Sequence, residues 1–197
     1  MKEPILYRVV KPILNVILTP IYRPTIIGKE NIPKEGKIIL AGNHTNFLDC
    51  LMIAKATKRV VHYIAKIELM KGMGKYIFPG LGIIPIDRKT NGKDAIVNAE
   101  EALNSGKLIA IFPEGTINRT DDIMMPFKGG AVKIASDTDT RIVPFAITGK
   151  YKPFKKGLTV KFFPSIEVPH GSLKATNKML ENTVRQELEK SKESKLA

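Results

Sequence analysis

The segment "KIILAGNHTNFLDC", residues 37–50, joins an apolar run to a polar turn and then to a second apolar run. Four consecutive apolar residues at 38–41 are typical of a strand that is buried on both faces of a sheet. Gly42 and Asn43 end this run, and the apolar residues that follow Asp49 suit a helix. A buried strand that turns directly into a helix is the repeating unit of an α/β domain.

The same alternation continues along the chain, with short apolar runs separated by stretches of helical character. Strands are predicted at residues 37–41, 59–65, 82–86, 107–112, 141–147 and 158–163. Helices are predicted at residues 48–57, 68–77, 93–105 and 127–136, with a final helix starting after Ser172. Gly106 should end the third of these helices. We therefore predict one α/β domain over residues 23–197, with a largely parallel central sheet flanked by helices.

The composition narrows the classes of partner. Lysine and arginine total 32 against 19 acidic residues, which gives the 197-residue chain a formal net charge of +13. Such a surface suits nucleic acid, anionic lipid or an acidic carrier protein. Nucleic acid is the least favoured of the three, because the chain has no tryptophan and its aromatic residues lie mostly in apolar strands. The single cysteine, Cys50, excludes an intrachain disulfide, and its apolar neighbours favour a buried side chain over a catalytic thiol.

Residues 1–22 are predicted to form a separate segment, because residues 3–22 have the pattern of an amphipathic helix. Pro12 lies inside this pattern and should kink the helix or split it in two. The helix could pack on the core of the domain or lie in a membrane surface. We predict the membrane position, with the polar stripe of the helix facing the lipid headgroups. This stripe consists of Arg8, Lys11, Asn15 and Thr19.

The sequence shows neither a secretory signal nor an apolar run of about 18 residues that could span a bilayer. We therefore predict a peripheral protein on the cytoplasmic side of the cell membrane, bound to an anionic lipid surface.

A histidine and an acidic residue follow the first predicted strand. A strand-to-helix turn can fold back so that Asp49 accepts a hydrogen bond from Nδ1 of His44, which leaves Nε2 free to act as a base. This is the base-and-orienter half of a catalytic triad, and no serine partner is evident, so the nucleophile could be a substrate hydroxyl. The alternative is that Asp49 and its neighbours only cap the following helix.

Two further polar clusters follow predicted strands, where sites of α/β proteins gather. Arg88 ends the stretch "GLGIIPIDR" and could bind a phosphate or carboxylate, or form a surface ion pair. The segment "FPEGT", residues 112–116, holds Glu114 in a tight turn beside the donor groups of Gly115 and Thr116; an ordinary exposed turn is the alternative. No cluster has the spacing of metal ligands.

Taken together and in this order, these motifs resemble the 1-acyl-sn-glycerol-3-phosphate acyltransferase family, also called lysophosphatidic acid acyltransferases. The similarity covers residues 25–165. Where members of that family often carry arginine directly after the third motif, this chain has Ile117 and Asn118 before Arg119. The matching stretches are Asn43 to Asp49, Gly82 to Arg88, Phe112 to Thr116 and Ile142 to Ile147, with the surroundings of Lys66 and residues 126–131 also similar.

The resemblance implies an enzyme in which His44, oriented by Asp49, deprotonates the free hydroxyl of a lysophospholipid. The resulting alkoxide attacks an acyl thioester carried by coenzyme A or acyl carrier protein, without a cofactor or metal. Arg88 and Lys66 would bind the acceptor phosphate, whereas Glu114, Gly115 and Thr116 would position the glycerol. The apolar stretch at 76–86 would line an acyl-chain groove, although it suits a core segment equally. The alternatives are transfer to glycerol-3-phosphate or another lysolipid, and a lipid-binding protein without activity.

Overall fold

The strand at the start of the opening motif lies at the centre of a sheet with strands on both sides. In the computed structural model, which describes residues 4–72, 74–77, 79–86 and 93–194, seven strands form this sheet. They are β1 (Thr25–Ile27), β2 (Ile38–Gly42), β3 (Val61–Lys66), β4 (Ile84–Ile86), β5 (Leu108–Ile111), β6 (Ile142–Thr148) and β7 (Thr159–Phe162). Their spatial order is β1-β7-β6-β2-β5-β3-β4. Of these neighbouring pairs, β6 and β7 run antiparallel and the others run parallel, which confirms the predicted fold class.

Helices cover both faces of the sheet. They are α1 (Ile5–Tyr22), α2 (Asp49–Lys55), α3 (Gly74–Ile77), α4 (Lys93–Asn104), α5 (Gly130–Asp137) and α6 (Leu173–Glu193). Alternate residues of β2 point to opposite faces, as the pleat of a strand requires. Ile39 and Ala41 join the core beneath α4, α5 and α6, whereas Ile38 and Leu40 join the core that contains Tyr7 of α1. This arrangement explains why the strand sequence is apolar without alternation.

Two details of the predicted element pattern are wrong. The helix predicted at 68–77 is instead a 3₁₀ turn, Ile67–Met70, followed by the single turn of α3. The prediction also missed β1, whose three residues are too few to show a periodicity. The end of α4 is as predicted, since Gly106 has φ +75° and the amide of Lys107 bonds back to the carbonyl of Ala102.

Helix α1 runs as one element through Pro12, so the predicted split does not occur. Its orientation also differs from the prediction, because part of the polar stripe faces the protein. Lys11 donates from Nζ to the carbonyl oxygens of Thr57 (2.5 Å) and Arg59 (3.1 Å), and Lys55 donates to the Thr19 hydroxyl. The side chains of Lys11 and Thr19 are therefore hydrogen-bonded to residues at the end of α2 and in the loop that follows it. Apolar side chains of α1 face outward instead. In the part of the chain described by the structure, no helix has the length and apolarity needed to cross a bilayer.

The fold brings the polar turns together at one edge. Strand β2 lies between β5 and β6, and all three run in the same direction. The residues that follow their carboxyl ends therefore meet at that edge. Gly42, the last residue of β2, allows close approach here, because a Cβ atom on it would lie 2.0 Å from the carbonyl oxygen of Phe145.

Candidate active site

The predicted contact between His44 and Asp49 is present in the turn that joins β2 to α2. Nδ1 of His44 lies 2.9 Å from Oδ2 of Asp49. The side chain of Asp49 is fully buried, whereas 15% of the His44 side chain is exposed. Because the Asp49 carboxylate accepts a hydrogen bond from Nδ1 of His44, the neutral imidazole carries its proton on Nδ1. Nε2 is then the nitrogen left to accept a proton from another molecule.

The Asp49 carboxylate is held by several donors besides His44. Its Oδ2 accepts hydrogen bonds from the backbone amides of Thr45 (2.6 Å) and Asn46 (2.8 Å), and its Oδ1 accepts one from the Tyr151 hydroxyl (2.5 Å). Asp49 therefore both stabilises the turn at the start of α2 and orients His44. The two roles considered from the sequence do not exclude each other.

The imidazole ring of His44 is also fixed from the side. It stacks on Phe112, with ring centroids 3.8 Å apart and an angle of 13° between the planes. The backbone of His44 is tied to the loop after β5, because Asn118 donates to its carbonyl oxygen (2.8 Å). Both the ring plane and the backbone of this residue are thus set before any substrate binds.

Glu114 serves this turn as well. Its Oε1 accepts from the amide of His44 (2.6 Å), and its Oε2 accepts from the amide of Met125 (2.8 Å). Only 1% of the residue is exposed; burial raises the pKa of this carboxyl, and the two amides act in the opposite direction. Because both carboxylate oxygens of Glu114 accept backbone amides, this side chain holds the backbone of His44 in place. Its predicted contact with substrate stays a prediction.

His44 lies on the wall of a large, mostly apolar cavity of about 1190 Å³. Gly115 and Thr116, both predicted site residues, also line this cavity, and Gly115 adopts φ +76° in the turn. Helix α1 closes one side of the cavity with residues such as Val10 and Leu14. Leu81, Ile83 and Ile86 from the stretch proposed as an acyl groove also line it.

The structure does not describe the side chains of the two predicted phosphate ligands, Lys66 and Arg88. Lys66 is the last residue of β3, next to Ile86 of β4, and its side chain is outside the described part of the structure. Arg88 lies outside the described residues altogether. Two cations that sequence reasoning did not select, Arg119 and Lys128, line the cavity. The signal for Lys128 was its place inside the recognised stretch "PFKGG", and the signal for Arg119 was its place three residues after the end of "FPEGT".

Other chemistry has little support in this region. Burial raises the pKa of the Cys50 thiol to about 12, and the Asp49 charge adds to this effect, so Cys50 is a poor nucleophile at neutral pH. Within residues 4–72, 74–77, 79–86 and 93–194, no group of three or more histidine, cysteine or acidic side chains is arranged to hold a metal ion.

Comparisons with known proteins point to one group. The model of the Acyltransferase family matches residues 23–148. A 1-acyl-sn-glycerol-3-phosphate acyltransferase of Bacillus subtilis is 30% identical over 158 residues, which cover 77% of each chain. The protein of the same name from Borreliella burgdorferi is 32% identical over 136 residues, covering 68% of this chain and 54% of that one. The crystal structure of the 1-acyl-sn-glycerophosphate acyltransferase PlsC from Thermotoga maritima superimposes with a TM-score of 0.72 at 25% identity, covering 86% of this chain and 72% of that chain.

Proposed function

Because the chain belongs to the Acyltransferase family, we propose that it transfers an acyl chain from a thioester to the free hydroxyl of 1-acyl-sn-glycerol-3-phosphate, giving phosphatidic acid. The donor would be acyl-coenzyme A or acyl carrier protein. The observation that carries the proposal is the 2.9 Å contact between His44 and Asp49 on the wall of a large apolar cavity. This arrangement offers a base for a hydroxyl next to space for an acyl chain.

In the proposed reaction, Nε2 of His44 takes the proton of the acceptor hydroxyl. The oxygen attacks the thioester carbonyl carbon, and a tetrahedral intermediate forms. The carbon–sulfur bond then breaks, and the imidazolium returns its proton to the departing thiolate, so that the products are an ester and a free thiol. The buried carboxylate of Asp49 stabilises the imidazolium between these two steps.

The assay that tests this function combines purified protein with a labelled acyl thioester and one acceptor at a time. We expect labelled phosphatidic acid from 1-acyl-sn-glycerol-3-phosphate, with coenzyme A and acyl carrier protein thioesters compared as donors. Faster transfer to glycerol-3-phosphate or to another lysolipid would replace the proposed acceptor. Binding of lysolipid without transfer from either donor would contradict an enzymatic role.

Two cavity cations are suited to the acceptor phosphate. Arg119 and Lys128 line the same cavity as Gly115 and Thr116, and the amide of Lys128 donates to the carbonyl of Pro113 in the neighbouring turn (3.0 Å). We propose that they bind the phosphate together with Arg88, the ligand inferred from the sequence. Charged donors of this kind fit a phosphate better than they fit an uncharged thioester.

The double substitution Arg119→Ala/Lys128→Ala should raise the acceptor KM by about 10- to 100-fold, because charge-assisted hydrogen bonds to the phosphate are lost. The donor KM should change much less. Steady-state kinetics with each substrate varied in turn measures both values. Lys133→Ala is the matched control, since this lysine lies on α5 and pairs with Asp137 at the surface. A rise confined to the donor KM would assign the two cations to the donor instead.

We also propose that α1 lies on an anionic membrane surface through its outward side. Val9, Ile13, Val16 and Ile17 are 50–75% exposed and form an apolar face at helical spacing. The loop between β6 and β7 extends this surface, because the amide of Phe154 bonds to the carbonyl of Ile21 near the end of α1 (2.5 Å). Phe154 is 67% exposed. The same loop has no acidic residue and carries four exposed lysines: Lys150, Lys152, Lys155 and Lys156.

An exposed aromatic side chain among lysines complements a bilayer with anionic headgroups, since the ring enters the interface and the lysines remain at its surface. On this proposal the protein is peripheral and faces the cytoplasm. Residues of α1 line the cavity together with residues of β3, so the lysolipid acceptor would enter it from the membrane beside α1.

The triple substitution Ile13→Asn/Val16→Asn/Ile17→Asn should lower binding to vesicles containing anionic lipid by at least about 10-fold, because the buried apolar area is lost. Unlike deletion of residues 1–22, it keeps the buried contacts of Tyr7. Co-sedimentation measures the binding. Val97→Asn/Met179→Gln, which changes exposed apolar residues of α4 and α6, is the matched control. Equal sedimentation of the triple variant and the intact protein would show that this face does not contact lipid.

A further inference from the structure

Tyr151 contacts the candidate catalytic pair from a distant part of the sequence. It lies three residues beyond the end of β6, and its hydroxyl donates to Oδ1 of Asp49 over 2.5 Å. His44 is bound to the other oxygen of the same carboxylate, over 2.9 Å. Tyr151 and His44 are therefore connected through one buried carboxylate.

The surroundings of Tyr151 keep its hydroxyl protonated, so that it can donate a hydrogen bond. Burial raises its pKa far above the ordinary value for tyrosine, and the negative charge of Asp49 raises it further. Its ring is also fixed, because it meets Tyr22, the last residue of α1, edge to face at 5.5 Å between ring centroids. A protonated hydroxyl on an immobile ring gives a hydrogen bond of constant direction.

The two oxygens of Asp49 are held unequally without this bond. Oδ2 accepts the backbone amides of Thr45 and Asn46 in addition to His44. Among the described residues, the other donor to Oδ1 is the Thr45 hydroxyl, which lies at 3.2 Å and is shared between both oxygens. A buried carboxylate oxygen with so little support would shift towards other donors, because an unsatisfied acceptor is costly.

We infer that Tyr151 is a positioning residue for the reaction: its hydroxyl fixes the Asp49 carboxylate so that Oδ2 faces Nδ1 of His44. The inference rests on the proposed role of His44 as the base. Because the geometry of a base relative to its substrate affects the rate far more than it affects binding, the contribution of Tyr151 falls on kcat.

Tyr151→Phe removes the hydroxyl and keeps the ring against Tyr22. We expect kcat to fall about 10-fold, with both KM values within about 2-fold of the wild type. We also expect the low-field proton resonance of His44 Nδ1–H to move, because the hydrogen bond to Asp49 changes geometry. Thermal melting reports whether the protein remains folded.

Tyr63→Phe is the matched control for the loss of a buried tyrosine hydroxyl. Its hydroxyl donates to the carbonyl of Cys50 (2.6 Å), one residue beyond Asp49, without contacting the carboxylate. This variant should keep kcat and the His44 resonance. The inference is overturned if Tyr151→Phe keeps a wild-type kcat, or if kcat falls while the His44 resonance stays in place, which would show that the lost rate does not come from the Asp49–His44 geometry.

The two readouts separate this inference from the proposed function. If the wild-type protein transfers no acyl group, the proposed function fails. The His44 resonance of Tyr151→Phe then still reports whether Tyr151 orients the Asp49–His44 pair, since it needs no substrate.

Discussion

Replacing His44 with alanine is expected to lower kcat by about 10²- to 10⁴-fold, the range typical for loss of a general base. The residue stands in a turn beside the cavity and contributes ring stacking on Phe112, so the fold should survive its removal. The space left by the imidazole adjoins the cavity, and added imidazole should therefore restore part of the rate. Single-turnover transfer of a labelled acyl group measures the change.

His170→Ala is the control for this experiment, because His170 lies at the surface beside Asp139 and away from the cavity. It should keep the wild-type rate. An His44→Ala protein that is folded and retains the wild-type kcat would refute the proposed mechanism. A dead but folded Cys50→Ala protein would redirect attention to an acyl-cysteine route.

Asp49→Asn is expected to lower kcat by about 10²- to 10³-fold through loss of charge, as removal of one electrostatic stabiliser typically does. The amides of Thr45 and Asn46 require an acceptor at the Oδ2 position, so the asparagine oxygen should take that place. Its amide nitrogen then faces the oxygen of Tyr151, which can accept. The His44 tautomer is retained in this arrangement, but the imidazolium formed during the reaction lacks its counter-charge.

The measurement is kcat together with the protonation site of His44 from its ring nitrogen chemical shifts. We expect a proton on Nδ1 in both the wild type and the Asp49→Asn protein. A proton moved to Nε2 would show that the amide has turned the other way and that the wrong tautomer causes the loss. A folded variant with an unchanged kcat would remove Asp49 from the mechanism.

Several features followed from local sequence alone because they depend on residues close together in the chain. The continuous apolar runs indicated a sheet covered on both faces, and the contact between His44 and Asp49 is made within a single turn. The end of α4 at Gly106 is likewise set by a local backbone conformation. In each case the spacing of residue types limits the geometry before any distant contact forms.

The hydrophobic pattern of α1 was also local, but its orientation was not. An amphipathic pattern shows that a helix has two kinds of surface, and it leaves open which of them meets the domain. Here carbonyl groups at Thr57 and Arg59 accept hydrogen bonds from Lys11, and Tyr7 enters the core, so the outward side is apolar. Only the packed structure could reveal this, because the partners are about 50 residues away along the chain.

The sequence by itself determined the fold class and the family, and it indicated the pair proposed for the chemistry, since all three follow from short motifs and their order. Only the tertiary structure determined which side chains fix His44 and Asp49 in position. Glu114 binds the amide of a residue 70 positions away, and Tyr151 reaches the carboxylate of a residue 102 positions away. Such contacts exist because β5 and β6 flank β2, so that the segments after three strands meet at one edge. Strand order is a property of the whole chain, and no local pattern encodes it.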